Sequence, residues 1–184
     1  VYKRQHMDGA RFLQAATVLQ CAPAELSWKV GVDVLTLGAS KIGGGIADAI
    51  VFFDHSLARG FEYRMKQAGQ VTSKQRLMTA PWVGLLESKV WRENAMHANA
   101  MAQDLEERLR ASGISTKFSR DANMLFTSFT DNEASRIRER GWQFHIHAGT
   151  GLARLVCGWD ASLASNTLFA ADVAEAVASS QPPK

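Results

Sequence analysis

Val32-Asp33-Val34-Leu35-Thr36-Leu37-Gly38-Ala39-Ser40-Lys41-Ile42-Gly43-Gly44-Gly45, running on to Ala49-Ile50-Val51-Phe52-Phe53, is the stretch whose reading decides this chain. An apolar, β-rich run ends in small residues carrying one lysine, three glycines follow, and a second β-rich run leaves. The pattern predicts strand, tight turn, strand, with Lys41 held at the turn. An amine on a flexible stem, set among small apolar groups away from bulk water, gives up its proton more readily and becomes a nucleophile. Lys41 therefore reads as a Schiff-base lysine. The ordinary alternative is a solvated surface charge, and this stretch alone leaves both readings open. A phosphate-cradling loop is excluded by residue order, because that motif places glycine before the lysine and Ser or Thr after it. Here Ser40 precedes Lys41 and the glycines follow.

Working outward, the 184 residues are 46% hydrophobic, enough for the core of one domain or parts of two. The net charge of +3 is small and its basic residues are interleaved with acids, which gives no footprint for nucleic acid or an anionic membrane. No apolar run approaches the ~20 residues that span a bilayer. Cys21 and Cys157 lack metal-ligand spacing and stand in apolar contexts, so the expectation is reduced thiols, a cytoplasmic protein and no metal site. Val1-Tyr2-Lys3-Arg4-Gln5 reads as the in-frame translation of a library adapter and is set apart from fold reasoning; without Lys3 and Arg4 the net charge drops to +1. On that reading the coding sequence is entered part-way and the N-terminal part of the protein is missing.

His6-Met7-Asp8-Gly9-Ala10-Arg11 reads as a strand end, and residues 12–20 as a helix with Phe12, Ala15, Ala16 and Leu19 along one face. Pro23 opens a further short helix through Trp28, ended by Gly31. Residues 56–112 are expected to be helical, broken near Thr79-Ala80-Pro81 because the residue before proline disfavours the helical region. Val90, Asn94, His97, Met101, Leu105 and Leu109 recur at helical spacing on one side of a long helix that Gly113 caps. The charged run from Asp104 to Arg110 forms its solvated face and receives no function. The last third alternates strand and helix. Residues 123–129 read as a strand, and Thr130-Asp131-Asn132-Glu133 as a capping box opening a helix that Gly141 closes. Residues 142–147 and 153–157 read as short strands around Gly149-Thr150-Gly151, and Asp160 or Ser162 caps a final helix. Residues 179–184 are expected to be a disordered tail.

Two of these pieces, His6-Met7-Asp8-Gly9-Ala10-Arg11 and the Lys41 turn 33 residues after Asp8, together resemble the threonine aldolase and β-eliminating lyase family of fold-type-I pyridoxal-phosphate enzymes. The pattern is similar to that of its bacterial low-specificity L-threonine aldolases, which carry Thr-Lys-Asn-Gly where this chain has Ser40-Lys41-Ile42-Gly43. The resemblance continues through Val51-Phe52-Phe53-Asp54, the helix containing residues 94–101, and Arg154-Leu155-Val156-Cys157-Gly158-Trp159-Asp160. It covers essentially everything after residue 5. Ile42 in place of asparagine and the run Gly43-Gly44-Gly45 depart from the family pattern.

The resemblance implies an α/β fold. Residues 6–87 would be the C-terminal part of a fold-type-I cofactor-binding large domain, and residues 88–178 a small α+β domain. It implies pyridoxal 5′-phosphate as cofactor, with Lys41 as the catalytic lysine that holds it, Asp8 at the pyridine nitrogen, Arg11 towards the phenolate oxygen, and His6 shaping the site. Arg154 would bind the substrate α-carboxylate. The reaction implied is cleavage of L-threonine-like β-hydroxy-α-amino acids to glycine and an aldehyde; the same residues would serve β-elimination on another amino acid, and a non-catalytic protein of the same fold is a third reading. No base in the chain is convincing: His145 and His147 alternate with apolar residues, and His55 and His97 are weaker candidates still. A ring-stacking histidine and the phosphate-binding loop belong, by the resemblance, to an upstream segment. The chain alone is accordingly expected to bind cofactor poorly, to lack turnover and to aggregate through uncovered strands. A homodimer or homotetramer is the expected assembly of the intact protein.

Overall fold

The computed structural model describes residues 3–180, so the expected tail beyond Ser180 and the first two residues of the expected adapter lie outside the described residues. The chain divides into two compact units, Val1–Met96 and His97–Lys184, where the sequence places a boundary at residues 87 and 88.

The first unit is built on a three-stranded sheet, β1 (His6–Gly9), β2 (Val34–Gly38) and β3 (Asp48–Phe52), in that spatial order. β1 and β2 run parallel, with Asp8 beside Thr36, and β3 returns antiparallel to β2, with Thr36 beside Ile50. A parallel pair needs a long crossover. Helix α1 (Phe12–Leu19) and the two 3-10 turns Pro23–Leu26 and Trp28–Val30 provide it; the single short helix expected after Pro23 is thus two tight turns. One sheet face turns Leu35 towards Phe12 and Leu13 of α1, forming a core with Val32, Ala39, Ile42, Trp82 and Leu85. Arg4 and Gln5 engage this sheet: the Gln5 carbonyl accepts from the backbone N–H groups of Asp33 and Val34, and Arg4 Nη1 lies 3.0 Å from Asp33 Oδ1.

Helices α2 (Phe61–Gln67), α3 (Gln75–Ser88) and α4 (Val90–Ala111) follow. The expected break at Pro81 does not occur, since Pro81 lies inside α3. Leu77, whose carbonyl loses its helical donor at Pro81, is 63% exposed, while Trp82 and Leu85 anchor the next turn in the core and Trp82 Nε1 donates to the Ala47 carbonyl at 2.9 Å. The break falls instead at Lys89, whose φ of 61° ends α3.

The buried side of α4 also departs from the expected stripe: Ala95, Ala98, Asn99, Ala102, Leu105 and Leu109 are buried, whereas His97 is exposed and Met101 only half-buried. Alanines, not the larger residues, carry the upper part of the stripe, and His97 Nε2 sits 2.6 Å from the Ala161 carbonyl oxygen. At the C-terminus the Gly113 N–H donates to Arg110 O and the Ile114 N–H to Leu109 O, a Schellman arrangement that needs the positive φ (78°) of Gly113.

The second unit carries an antiparallel sheet ordered β4 (Met124–Ser128), β6 (Leu152–Val156), β5 (His145–Ile146). Helices α5 (Asp131–Glu139) and α6 (Leu163–Ala178) complete it. Alternation puts Leu125, Ala153, Leu155 and Cys157 into a core with Leu109, Ile137, Phe169 and Val173. The expected capping box is present: the Glu133 N–H donates to Thr130 Oγ1 and the Thr130 N–H to Glu133 Oε2. Of the two candidate caps for α6, Ser162 does the capping, its Oγ accepting from the Ser165 N–H.

Candidate active site

The site is built on the C-terminal ends of β1 and β2. Parallel strands end at the same edge, so Ala10, which follows β1, and Ala39-Ser40-Lys41, which follow β2, leave the sheet at that edge, while Asp8 lies within β1 beside Thr36. In open α/β sheets this is the edge at which ligands bind. A Cβ on Gly38 would lie 3.4 Å from Ala10 Cα, which measures how closely the two exits approach.

Asp8 is exposed, with Oδ1 accepting from the Ala10 N–H at 2.9 Å. Its Oδ2 carries no hydrogen bond among the described residues. His6, two residues earlier and so on the same sheet face, places Nε2 2.8 Å from Thr36 Oγ1. Arg11 is half-buried at the N-terminal end of α1. Thr36, Asp48 and Ile50, brought to this face by register, line an open cavity of about 590 Å³ with Phe61 and Arg64.

Lys41 stands in a 3-10 turn, Ser40–Ile42, between β2 and β3, as the strand–turn–strand pattern requires. Its side chain is exposed in this chain, not withdrawn among small apolar groups. What is withdrawn is the backbone on either side: Ala39 is fully buried and Ile42 is 1% exposed. The Ile42 and Gly44 N–H groups both donate to Ala39 O, at 3.0 and 2.9 Å. The Lys41 carbonyl accepts from Gln14 Nε2 and the Ile42 carbonyl from Asn94 Nδ2, each at 2.9 Å. Sequence reasoning missed Gln14, which lies off the expected stripe of α1 yet is buried with Phe12, Leu13 and Ala16 while Leu19 is 60% exposed, and took Asn94 as one member of the stripe on α4.

Arg154 belongs to the second unit, exposed on β6 with Phe126 and His145 as its register partners. His145 is exposed beside it; His147 lies past β5 in the turn to β6, its carbonyl accepting from Thr150 and Gly151. His55 is exposed in a 3-10 turn, His55–Ala58. Among the described residues no three His, Cys, Asp or Glu side chains cluster as metal ligands, and no helix is long and apolar enough to cross a membrane. Cys157 is buried, and burial pushes its thiol up to about 11, so it remains protonated near neutral pH.

The beta-eliminating lyase family matches residues 3–132, a span that holds β1, the Lys41 turn, both amide contacts and the start of the second unit. The chain belongs to that family. Two relatives of this chain are low specificity L-threonine aldolases, from Pseudomonas sp. (strain NCIMB 10558) and Pseudomonas aeruginosa. Each is 45% identical over 169 residues, which are 91% of this chain and 49% of the relative. The chain thus spans about half the length of the curated relatives it matches. A threonine aldolase of Leishmania major superposes with a TM-score of 0.79 at 22% identity, covering 94% of this chain and 51% of that one. That likeness shows the fold, which is fold type I, and the chain supplies part of it. A carboxylate on β1 and an amine in the turn that follows β2 suit a cofactor with a basic ring nitrogen and an aldehyde, the two groups that Asp8 and Lys41 are chemically able to hold.

Proposed function

We propose that this chain carries the lysine-bearing part of a pyridoxal-5′-phosphate-dependent aldolase that cleaves L-threonine, L-allo-threonine and similar β-hydroxy-α-amino acids to glycine and an aldehyde. The observation that carries the reading is the parallel pairing of β1, which holds Asp8, with β2, whose C-terminal end leads into the Lys41 turn. An identity of 45% to low specificity L-threonine aldolases supports the substrate class.

In this reading the cofactor, when bound, supplies an electron sink for whichever bond to Cα is broken. Lys41 holds its aldehyde through the side-chain amine. The Asp8 carboxylate keeps the proton on its ring nitrogen, because a negative charge alongside favours the protonated form. Arg11 serves the phenolate oxygen, and His6 shapes the wall beside Asp8. Arg154 offers its guanidinium fork to the substrate α-carboxylate; a bidentate pair fixes orientation as well as affinity, and orientation selects the bond that breaks. The chain by itself is not catalytic in this reading, which its half-length match to the aldolases supports. The full-length protein is a homodimer or homotetramer, and the protonated, buried Cys157 suits the reducing cytoplasm.

Glycine release from L-threonine and L-allo-threonine, measured on the full-length protein, tests the proposal. Activity that K41A abolishes is the expected result; no glycine from either isomer overturns it. Turnover by the isolated chain would overturn the narrower statement that it is not catalytic alone.

A further inference from the structure

We propose that Gln14 and Asn94 are positioning residues for Lys41, and that Gln14 ties the lysine to Asp8. The proposal rests on reading Lys41 as the cofactor lysine. A 3-10 turn of three residues leaves its carbonyls without backbone donors, and here side-chain amides from two helices supply them: Gln14 of α1 to the Lys41 carbonyl and Asn94 of α4 to the Ile42 carbonyl. Gln14 is 1% exposed, so its hydrogen bond is made away from competing water and its loss would leave buried polar atoms unmatched. The backbone at Lys41 is therefore held while the amine at the end of its stem stays exposed.

Gln14 also has a place in the chain that Asn94 lacks. It lies six residues after Asp8, separated by the turn in which Asp8 Oδ1 caps the Ala10 N–H and by the first residues of α1. The carboxylate and the amide thus ride on one short strand–helix piece, and the amide grips the peptide of the residue that carries the amine. Sliding α1 along the sheet would move Asp8 and Lys41 together. To the β1–β2 pairing that already relates Asp8 to the turn, Gln14 adds one hydrogen bond across the crossover, a form of support that a site on adjacent elements requires.

The test uses Q14M, which keeps the reach of the side chain and removes its donor, and N94A. S27A serves as the control: Ser27 is 3% exposed in the same unit and its Oγ donates to the Pro23 carbonyl, away from the turn. Hydrogen exchange of the Ile42 and Gly44 amides reads the turn. Treatment with pyridoxal 5′-phosphate and then borohydride, with peptide mass mapping, reads the amine: a lysine amine condenses with the aldehyde with loss of water, and hydride from borohydride reduces the imine to a stable secondary amine. The yield at Lys41 is taken relative to the exposed Lys29 and Lys66 in the same sample. Q14M and N94A should speed exchange of both amides by about tenfold, the worth of one hydrogen bond, and lower the relative yield at Lys41. S27A should change neither. Exchange and relative yield unchanged in Q14M and N94A, or the same losses in S27A, would overturn the proposal. Should Lys41 of the unsubstituted full-length protein label no better than Lys29 and Lys66, the reading of Lys41 as the cofactor lysine falls, and the exchange data still decide whether the two amides hold the turn.

Discussion

At the scale of single residues, the Lys41 turn is defined by what it excludes. A Cβ on Gly44 would lie 2.2 Å from Leu85 Cδ1 and 2.9 Å from Ala39 Cβ, so nothing larger than hydrogen fits between the turn and α3. The glycine run that departs from the family pattern has this packing reason at its middle member. G44A is expected to destabilise the first unit by about 1–3 kcal/mol, the usual cost of forcing extra carbon into a packed core. Urea unfolding followed by tryptophan fluorescence measures it, and an unchanged midpoint would show that Leu85 yields freely. The residues singled out in the sequence differ in how legible they were. Lys41 and Asp8 could be singled out because a lysine in a turn of small residues and an aspartate 33 residues before it stand in a recognisable order. Gln14 and Asn94 could not, because an amide on a helix looks the same whether it grips a distant turn or merely fills a gap.

At the scale of elements, termini were more legible than interiors. Thr130 and Glu133 announce the start of α5 through a local, reciprocal pair of hydrogen bonds that involves no distant residue. T130A should therefore cost about 1 kcal/mol, read as a lowered thermal or urea midpoint for the second unit. A midpoint equal to that of the unsubstituted chain would mean that α5 is held by Ala134 and Ile137 alone. The Schellman end at Gly113 was equally local. Pro81 was the failure of local reading: the conformational penalty before a proline is real, but Trp82 and Leu85 anchor the following turn in the core and carry the helix past it. The face of α4 failed for a related reason. Its stripe is set by what packs closely, and close packing selected alanines over the larger His97 and Met101.

At the scale of the whole molecule, charge pairing sets how stability follows pH. A hydrogen bond from Trp142 Nε1, followed by that from Arg140, holds the Asp172 carboxyl below its usual range; hydrogen bonds from Arg108 and Asn166 do the same for Asp104. Both groups regain ordinary values on unfolding, so their contribution is complete above the unfolded value near 4 and is lost as pH falls through the lower folded values. The unfolding midpoint of the second unit should accordingly drop from about pH 4 downward, and D172N should drop less steeply over the same range. Parallel curves for the two proteins would remove Asp172 from the account. The sequence by itself determined the strand–turn–strand at Lys41, the caps, most of the element order and the family, because each is written in a short pattern whose physics is local or whose chemistry needs particular side chains. Only the tertiary structure decided that α3 runs through Pro81, which side of α4 is buried, that Lys41 is exposed between the buried Ala39 and Ile42, and that Gln14 and Asn94 bond the carbonyls of its turn. Those outcomes depend on which distant surfaces meet, and burial by remote neighbours is the one quantity a linear pattern does not contain.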